Sequence, residues 1–293
     1  MQFLFRALLH LARIVGKPIG GIRPRRIYTF LGRRAFREPE FAWRRDRWGI
    51  ELRLAPFYHI DRDIIVFGCY DPDLHAALER FAQPGMVCMD IGANLGEMAL
   101  HLALRVGPAG KVYAFEPVST VFARLEEHIG RNQLDGVVLP FRIALSSTNG
   151  SLDIACADDR ADNQGLGSIV NTANPNVTRR ETVETRTIDA FVANQKIERV
   201  DLIKIDIQGA EYALLEGGAH VFGTLGPDLL IEISPDDLSQ AGKTSRDLCA
   251  KLEAYGYTIH ALHGSRIGRR IDANTVAPDF HAVNVYCTKK PLP

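Results

Sequence analysis

The 293-residue chain lacks the marks of several protein classes. Its five cysteines, Cys69, Cys88, Cys156, Cys249 and Cys287, are odd in number and form no CxxC pair. That excludes a zinc knuckle, argues against a disulfide framework and implies buried free thiols in a reducing, cytoplasmic setting. No apolar run reaches the roughly 18 residues that span a bilayer. The 35 basic and 35 acidic side chains cancel, so the basic excess of a nucleic-acid-coated protein is missing. The dinucleotide fingerprint GxGxxG is also missing, which argues against a dehydrogenase. There is no internal repeat. Apolar residues make up 46%, enough for a sizeable core.

No acid precedes Glu38, and residues 1–50 carry 12 basic and 3 acidic side chains, a local +9. At helical spacing Arg6, His10, Arg13 and Lys17 share one face, and Leu4, Leu8, Leu11 and Val15 the opposite one. Arg6 and Arg13 interrupt the apolar stretch that a secretory signal needs. Two readings stand for residues 1–17: peripheral docking on an anionic membrane at its inner face, or packing on the chain's own domain or a twin subunit. An Arg-rich connector runs on to Arg47.

Residues 48–85 read as a small strand–helix lead-in. ELRLAPFYHI and DIIVFG read as antiparallel strands, and DPDLHAALERFAQPG as a helix capped by Asp71 with Pro72 in its first turn. From residue 86 to 293 short apolar runs alternate with helical patterns. Strands fall at MVCMDIG, KVYAFEP, VVLPFRIALS, VDLIKIDIQG, PDLLIEIS and HAVNVYCTK. Helices fall at LGEMALHLALR, STVFARLEEHIGRN (with Ser119 as cap), AEYALLEGG and SRDLCAKLEAYG. This alternation predicts an α/β fold with a doubly wound, mainly parallel sheet. Thr148-Asn149-Gly150-Ser151 predicts a hairpin joining VVLPFRIALS to SLDIACA. Residues 156–182 break the pattern and read as a long lid or surface insertion.

In such a sheet the ligand sits at the carboxyl ends of the strands, at the switch point. Asp90-Ile91-Gly92-Ala93-Asn94-Leu95-Gly96 follows the first core strand. An acid there repels a pyrophosphate and welcomes an ammonium, a description that S-adenosylmethionine fits. Glu116 ends the next strand, 26 residues after Asp90, placed to accept hydrogen bonds from ribose hydroxyls. Lys204 and Asp206 share one face of a strand that should be apolar on both. Such charges are paired or functional. Glu232, inside LLIEIS, is a third: it binds substrate or joins Lys204. Asp206 and Glu232 are hard oxygen ligands, but no third ligand is visible, so no metal is expected.

In order and spacing, DIGANLG, AFEP, DLIKIDIQGAE and IEIS resemble the FkbM family of S-adenosylmethionine-dependent methyltransferases, over roughly residues 65–290. The resemblance implies the class I methyltransferase fold, a Rossmann-like seven-stranded sheet whose antiparallel last strand is HAVNVYCTK. It implies O-methylation of a sugar, glycolipid or polyketide hydroxyl, with a small-molecule or glycan acceptor and no nucleic acid. It assigns Asp90, Gly92, Asn94 and Gly96 to the cofactor loop, Glu116 to the ribose, a structural role to Asn132 and a place beside the methyl group to Asp206. Ala93, Ala144 and Asp206 complete the expected cofactor set, and the strand charges Lys204 and Glu232 join Asp206 as catalytic candidates. Where the family usually shows Tyr-Glu-Pro, this chain has Tyr70-Asp71-Pro72. Asp206 serves as base or orients the acceptor, with His101, His220, His263 and His281 as rival bases. The rival to an enzyme is a non-catalytic module on the same fold that holds the cofactor or a lipid head group.

Overall fold

In the computed structural model, residues 39–157, 177–276 and 282–292 are described. The basic segment 1–17 therefore lies outside the described residues, as does most of the connector. The connector's end is a strand, β1 (Ala42–Arg45), paired antiparallel with β2 (Glu51–Leu54). The Asp46 carboxylate accepts the amides of Trp48 and Ile50 and shapes the turn between them.

DIIVFG is not a strand. It is the C-terminal part of helix α1 (His59–Phe67), stopped by Gly68 in the left-handed region at φ +83°. A four-residue apolar run does not distinguish strand from helix. Here tertiary contacts decide: Asp61, in the first turn, pairs with Arg124 at 2.8 Å and accepts the Ala55 amide. Helix α2 (Pro72–Phe81) begins as expected, with the Asp71 side chain accepting the Leu74 amide and Pro72 in the first turn.

The core elements are β3 (Val87–Ile91), α3 (Glu97–Val106), β4 (Lys111–Phe115), α4 (Ser119–Arg131), β5 (Val138–Phe141), β6 (Ala144–Leu145), β7 (Gly150–Ala157), β8 (Val177–Arg186), α5 (Ile188–Gln195) and β9 (Leu202–Ile205). They continue with α6 (Glu211–Glu216), β10 (Asp228–Ile233), α7 (Pro235–Gln240), α8 (Ser245–Ala254), β11 (Thr258–His263), β12 (Arg266–Ile271) and β13 (Val283–Thr288). The main sheet runs β12-β11-β13-β10-β9-β3-β4-β5. Strands β10, β9, β3, β4 and β5 are mutually parallel, and β13 enters antiparallel between β10 and β11. That is the doubly wound sheet with its antiparallel last strand, and the order reverses between β3 and β9. An eighth strand, β12, folds back from β11 and extends the seven expected. At the other edge, β5 turns the carbonyls of Val137 and Phe141 toward β4.

The hairpin from VVLPFRIALS to SLDIACA does not form. β8 lies between β6 and β7, parallel to the first and antiparallel to the second. Asn149 instead accepts the Thr187 amide just beyond β8. The dipeptide Asn-Gly fixes a turn, not the partner of the strand that follows. The stretch 156–182 is shorter than read: Cys156 and Ala157 end β7, and β8 begins at Val177. Residues 158–176 lie outside the described ones. Ser119 is not a cap. Val118 occupies that position, and the Ser119 hydroxyl donates to Glu181.

Side-chain alternation splits the core in two. Met89, Ile91, Ile203, Ile205 and Ile231 pack on one sheet face, and Cys88, Ala114, Leu202 and Leu230 on the other. The lead-in joins this second layer through Leu52, Leu54 and Leu78. The edge of β2 away from β1 is held, among the described residues, by side chains. Asn132 accepts the Glu51 amide and donates to the Glu51 carbonyl, His128 accepts the Arg53 amide, and Arg124 donates to the Arg53 carbonyl. Three helix residues four apart thus stand in for a strand edge, which gives Asn132 its structural role. No helix among the described residues is long and apolar enough to cross a membrane.

Candidate functional site

At the carboxyl ends of β3, β4, β9 and β10 a cleft opens, with about 1250 Å³ of empty space including that open to solvent. Its walls include Gly92, Ala93, Asn94, Glu116, Ala144, Lys204, Asp206 and Glu232. The sequence therefore brings these expected residues to one place. Gly96 sits at the N-terminus of α3, at φ +95°, where an added Cβ would press on Leu125.

The loop after β3 is tightly built. Gly92 has φ +82°, and a Cβ there would collide with the Asp206 carbonyl oxygen. The amides of Gly92 and Ala93 both donate to Phe115 O, and the Asp206 amide donates to Ile91 O. Glu116 accepts the Asn94 amide at 3.0 Å and the Val118 amide at 2.9 Å. Burial pushes its carboxyl up to about 7 against these two hydrogen bonds. Each Glu116 oxygen still has a second lone pair. A glycine cradle that only a bare backbone fits, next to a buried acid at the neighbouring strand end, suits a nucleoside carrying an amino-acid tail. The residues present fit S-adenosylmethionine.

The charges beneath the loop sit differently from the expectation. Asp90 is wholly buried and does not line the cleft among the described residues. Its carboxylate lies 3.0 Å from Lys204 Nζ, which also donates to Gly92 O at 2.7 Å. Asp90 thus faces a lysine across the adjacent strand. Strand register explains it: Asp90 stands opposite Lys204 on adjacent parallel strands. Burial opposes the charge on Lys204, but Asp90 and then Asp206 outweigh it and hold the ammonium protonated. Lys204 pairs with Asp90 rather than with Glu232, and reaches Asp206 only at 3.9 Å.

Asp206 begins the loop after β9, its side chain 31% exposed. Buried Glu211 braces this loop by accepting the amides of Ile207 and Gly209. Gly209, at φ +99°, passes so close to Asp237 O that no Cβ fits. Glu232 lines the same cleft; burial, then Asp206 and Asp71, push its carboxyl up to about 8.

Other wall residues escaped the sequence reading: Tyr70, Glu97, Met98, Ile143, Gln208 and Asn284. Asp71, whose role the sequence left open, caps α2 and accepts from Asn284 Nδ2 at 2.8 Å in the same wall. A polar Asn284 inside an apolar strand was a usable signal; Glu97, first in an ordinary helix, gave none. No histidine lines the cleft among the described residues. His101 is buried against His75, the His220 amide caps onto Asp189, His263 is exposed, and His281 lies outside the described residues.

The model of the methyltransferase FkbM domain matches residues 90–259. The 2-O-methyltransferase NoeI of Sinorhizobium fredii is 31% identical over 146 residues, 46% of this chain and 58% of that protein. The hexuronic acid methyltransferase AglP of Haloferax volcanii is 26% identical over 147 residues, 50% of this chain and 56% of that one. The chain thus spans less than two thirds of either relative's length. A solved FkbM methyltransferase from Methylobacillus flagellatus aligns with a TM-score of 0.44 at 15% identity, over 77% of this chain and 52% of that one.

Proposed function

This chain belongs to the FkbM methyltransferase family, whose cofactor is S-adenosylmethionine, and we propose that it methylates a hydroxyl of an uncharged sugar. The observation that carries the reading is the cleft itself, which sets the Gly92 cradle and Glu116 against four further acids, Asp71, Glu97, Asp206 and Glu232. The two relatives named for 2-O-methylation and for a hexuronic acid support a glycan acceptor. The acidic wall favours a neutral polyol over an anionic one, because every carboxyl there can hydrogen-bond a hydroxyl while the aspartates Asp71 and Asp206 repel a carboxylate.

Gly92, Ala93, Asn94, Gly96 and Ala144 would hold the cofactor through backbone and shape, and Glu116 through its carboxyl. When bound, S-adenosylmethionine supplies an electrophilic methyl group. The protein's task is then to align the acceptor oxygen and take its proton. Asp206 orients that hydroxyl: its loop is braced by Glu211, and its side chain is open to the cleft. Lys204 acts on Asp206 by charge, and Glu232 faces the same cleft beside it.

The test pairs two measurements. Calorimetric titration with S-adenosylhomocysteine should show binding that NAD does not reproduce. Methyl hexopyranosides, offered with S-adenosylmethionine beside their uronic-acid counterparts, should be methylated in preference to the acids. Cofactor binding with no turnover of any glycoside would overturn the sugar reading and leave the family assignment standing.

A further inference from the structure

Behind the cleft wall lies a chain of titratable groups that cofactor binding does not use. Glu97 lines the cleft and is otherwise buried. His75 Nε2 stands 3.3 Å from Glu97 Oε1 without an aligned hydrogen bond. On its other side, His75 Nδ1 meets His101 Nδ1 at 2.6 Å. His101 Nε2 then points to Glu79 Oε1 at 3.9 Å, and the Glu79 side chain is half exposed. Trp48 lies over both imidazoles at 4.1 Å and donates its indole N–H to the same Glu79 oxygen. Both rings are therefore sealed from water except at the Glu79 end.

We propose that Glu97, His75 and His101 form a proton path from the cleft to Glu79 at the surface. The proposal rests on the methyl-transfer reading above. Two Nδ1 atoms at hydrogen-bond distance share one proton, so one ring donates and the other accepts. Burial, as the largest cause, pushes both imidazoles down to about 3, so both are neutral at physiological pH. The charged groups around His75 are Asp71, Arg47, Glu79 and Asp90, and around His101 they are Glu79, Arg105 and Arg47. Burial pushes Glu97 up to about 8, with Asp71, Asp61 and Asp63 acting the same way and the Tyr70 amide opposing. A protonated Glu97 donates to a bare His75 Nε2. His75 then carries its proton on Nδ1 and donates to His101 Nδ1, and His101 carries its own on Nε2, facing Glu79. Every donor in that series points outward.

The transfer balances without a charged ring. Glu97 gives its proton to His75 Nε2 as His75 Nδ1 passes its own to His101 Nδ1. His101 Nε2 releases a proton to Glu79 and thence to solvent. The Glu97 carboxylate so formed takes the proton of the acceptor hydroxyl, oriented by Asp206. In the same step the acceptor oxygen bonds to the methyl carbon and the carbon–sulfur bond breaks. Once the product leaves, Glu97 gives that proton to water in the cleft, and a proton entering at Glu79 runs back through both rings to Glu97 and restores their starting tautomers. Long, poorly aligned contacts such as the 3.3 Å one are common before substrates bind.

The first test needs no acceptor. In the full chain labelled with ¹⁵N-histidine, His75 should be protonated at Nδ1 and His101 at Nε2, with both rings neutral at pH 7. A cationic ring at pH 7, or the opposite pair of tautomers, would overturn the path. The second test uses the methyl hexopyranoside that the wild type methylates best. His101→Ala should lower kcat at least about tenfold, leave KM and S-adenosylhomocysteine affinity unchanged, and recover in part with added imidazole. His101→Gln, which fills the space but relays no proton, should be as slow and not be rescued. Unchanged kcat in both variants would refute the path. If the wild type methylates no glycoside, the sugar reading falls and the tautomers alone decide the path.

Discussion

Lys204 donates to the carbonyl oxygen of Gly92 across 2.7 Å, tying the strand on one side of the switch point to the loop on the other. The same ammonium neutralises Asp90, at 3.0 Å, beneath that loop. The motif DIGAN and the motif KIDIQG are thus two halves of one clasp.

Replacing Lys204 by Met leaves the Asp90 carboxylate buried without a partner. Removing one member of a buried pair costs about 3–5 kcal/mol. Urea unfolding of Lys204→Met should show that loss, and affinity for S-adenosylhomocysteine should fall with it. Adding Asp90→Leu should recover most of the stability, since a buried pair replaced by apolar groups is often neutral.

Gly92→Ala combines positive φ with a collision against the Asp206 carbonyl. Gly107→Ala is the matched control: φ is +67°, and nothing lies within 4 Å of its Cβ. The control should cost only about 1–2 kcal/mol of left-handed strain and bind S-adenosylhomocysteine as the wild type does. Gly92→Ala should melt lower than the control and show no calorimetric binding. Equal affinity in the two variants would remove the cradle from the cofactor site.

Asp206→Asn keeps size and most hydrogen bonds but removes the charge. With Asp206 orienting the acceptor, turnover should fall by about 10²-fold, while S-adenosylhomocysteine still binds. Full turnover in this variant would exclude Asp206 from acceptor chemistry.

Stability should decline as pH rises from 7 to 8.5. Glu97 and Glu232 are pushed up to about 8, and Glu116 and Glu211 to about 7, chiefly by burial. In that window the folded chain holds protons that the unfolded chain, with carboxyls near 4.5, has already lost. The folded state thus binds more protons, and stability falls with rising pH. His75, His101 and His128 do not oppose this, because both states have them largely neutral above pH 7. Thermal unfolding across the window measures the slope, and Glu97→Gln should make it shallower.

The parallel core was legible because its strands are apolar on both faces and its charges stand out against them. Asp90, Lys204 and Glu232 were visible as anomalies for this reason. Which of them pair was not visible, because it depends on register between strands far apart in sequence. Asp90 meets Lys204 across 114 residues, and no local pattern encodes that. The lead-in was misread for a related reason: Ile64 to Phe67 carry no period, and Arg124, sixty residues on, decides the helix. β8 was missed because VTRRETVETR is nearly all polar; its β7 partner supplies the order. Glu97 and His75 gave no signal at all, and His101 stood only as one of four rival bases, since each is an ordinary residue on a helix and only packing brings them together.

One end of the sheet also bears on how the chain behaves in a crowded solution. In β5 the carbonyls of Val137 and Phe141 face β4, so Pro140, one position out of phase, faces away. Its missing N–H therefore lies on the margin that no strand among the described residues covers, where an incoming strand would need a donor. At the far margin Arg266, Arg269 and Arg270 are exposed along β12. A second molecule adding there would set like charges against each other. Both margins are thus poor templates for intermolecular strand addition, the step by which open sheets grow into aggregates.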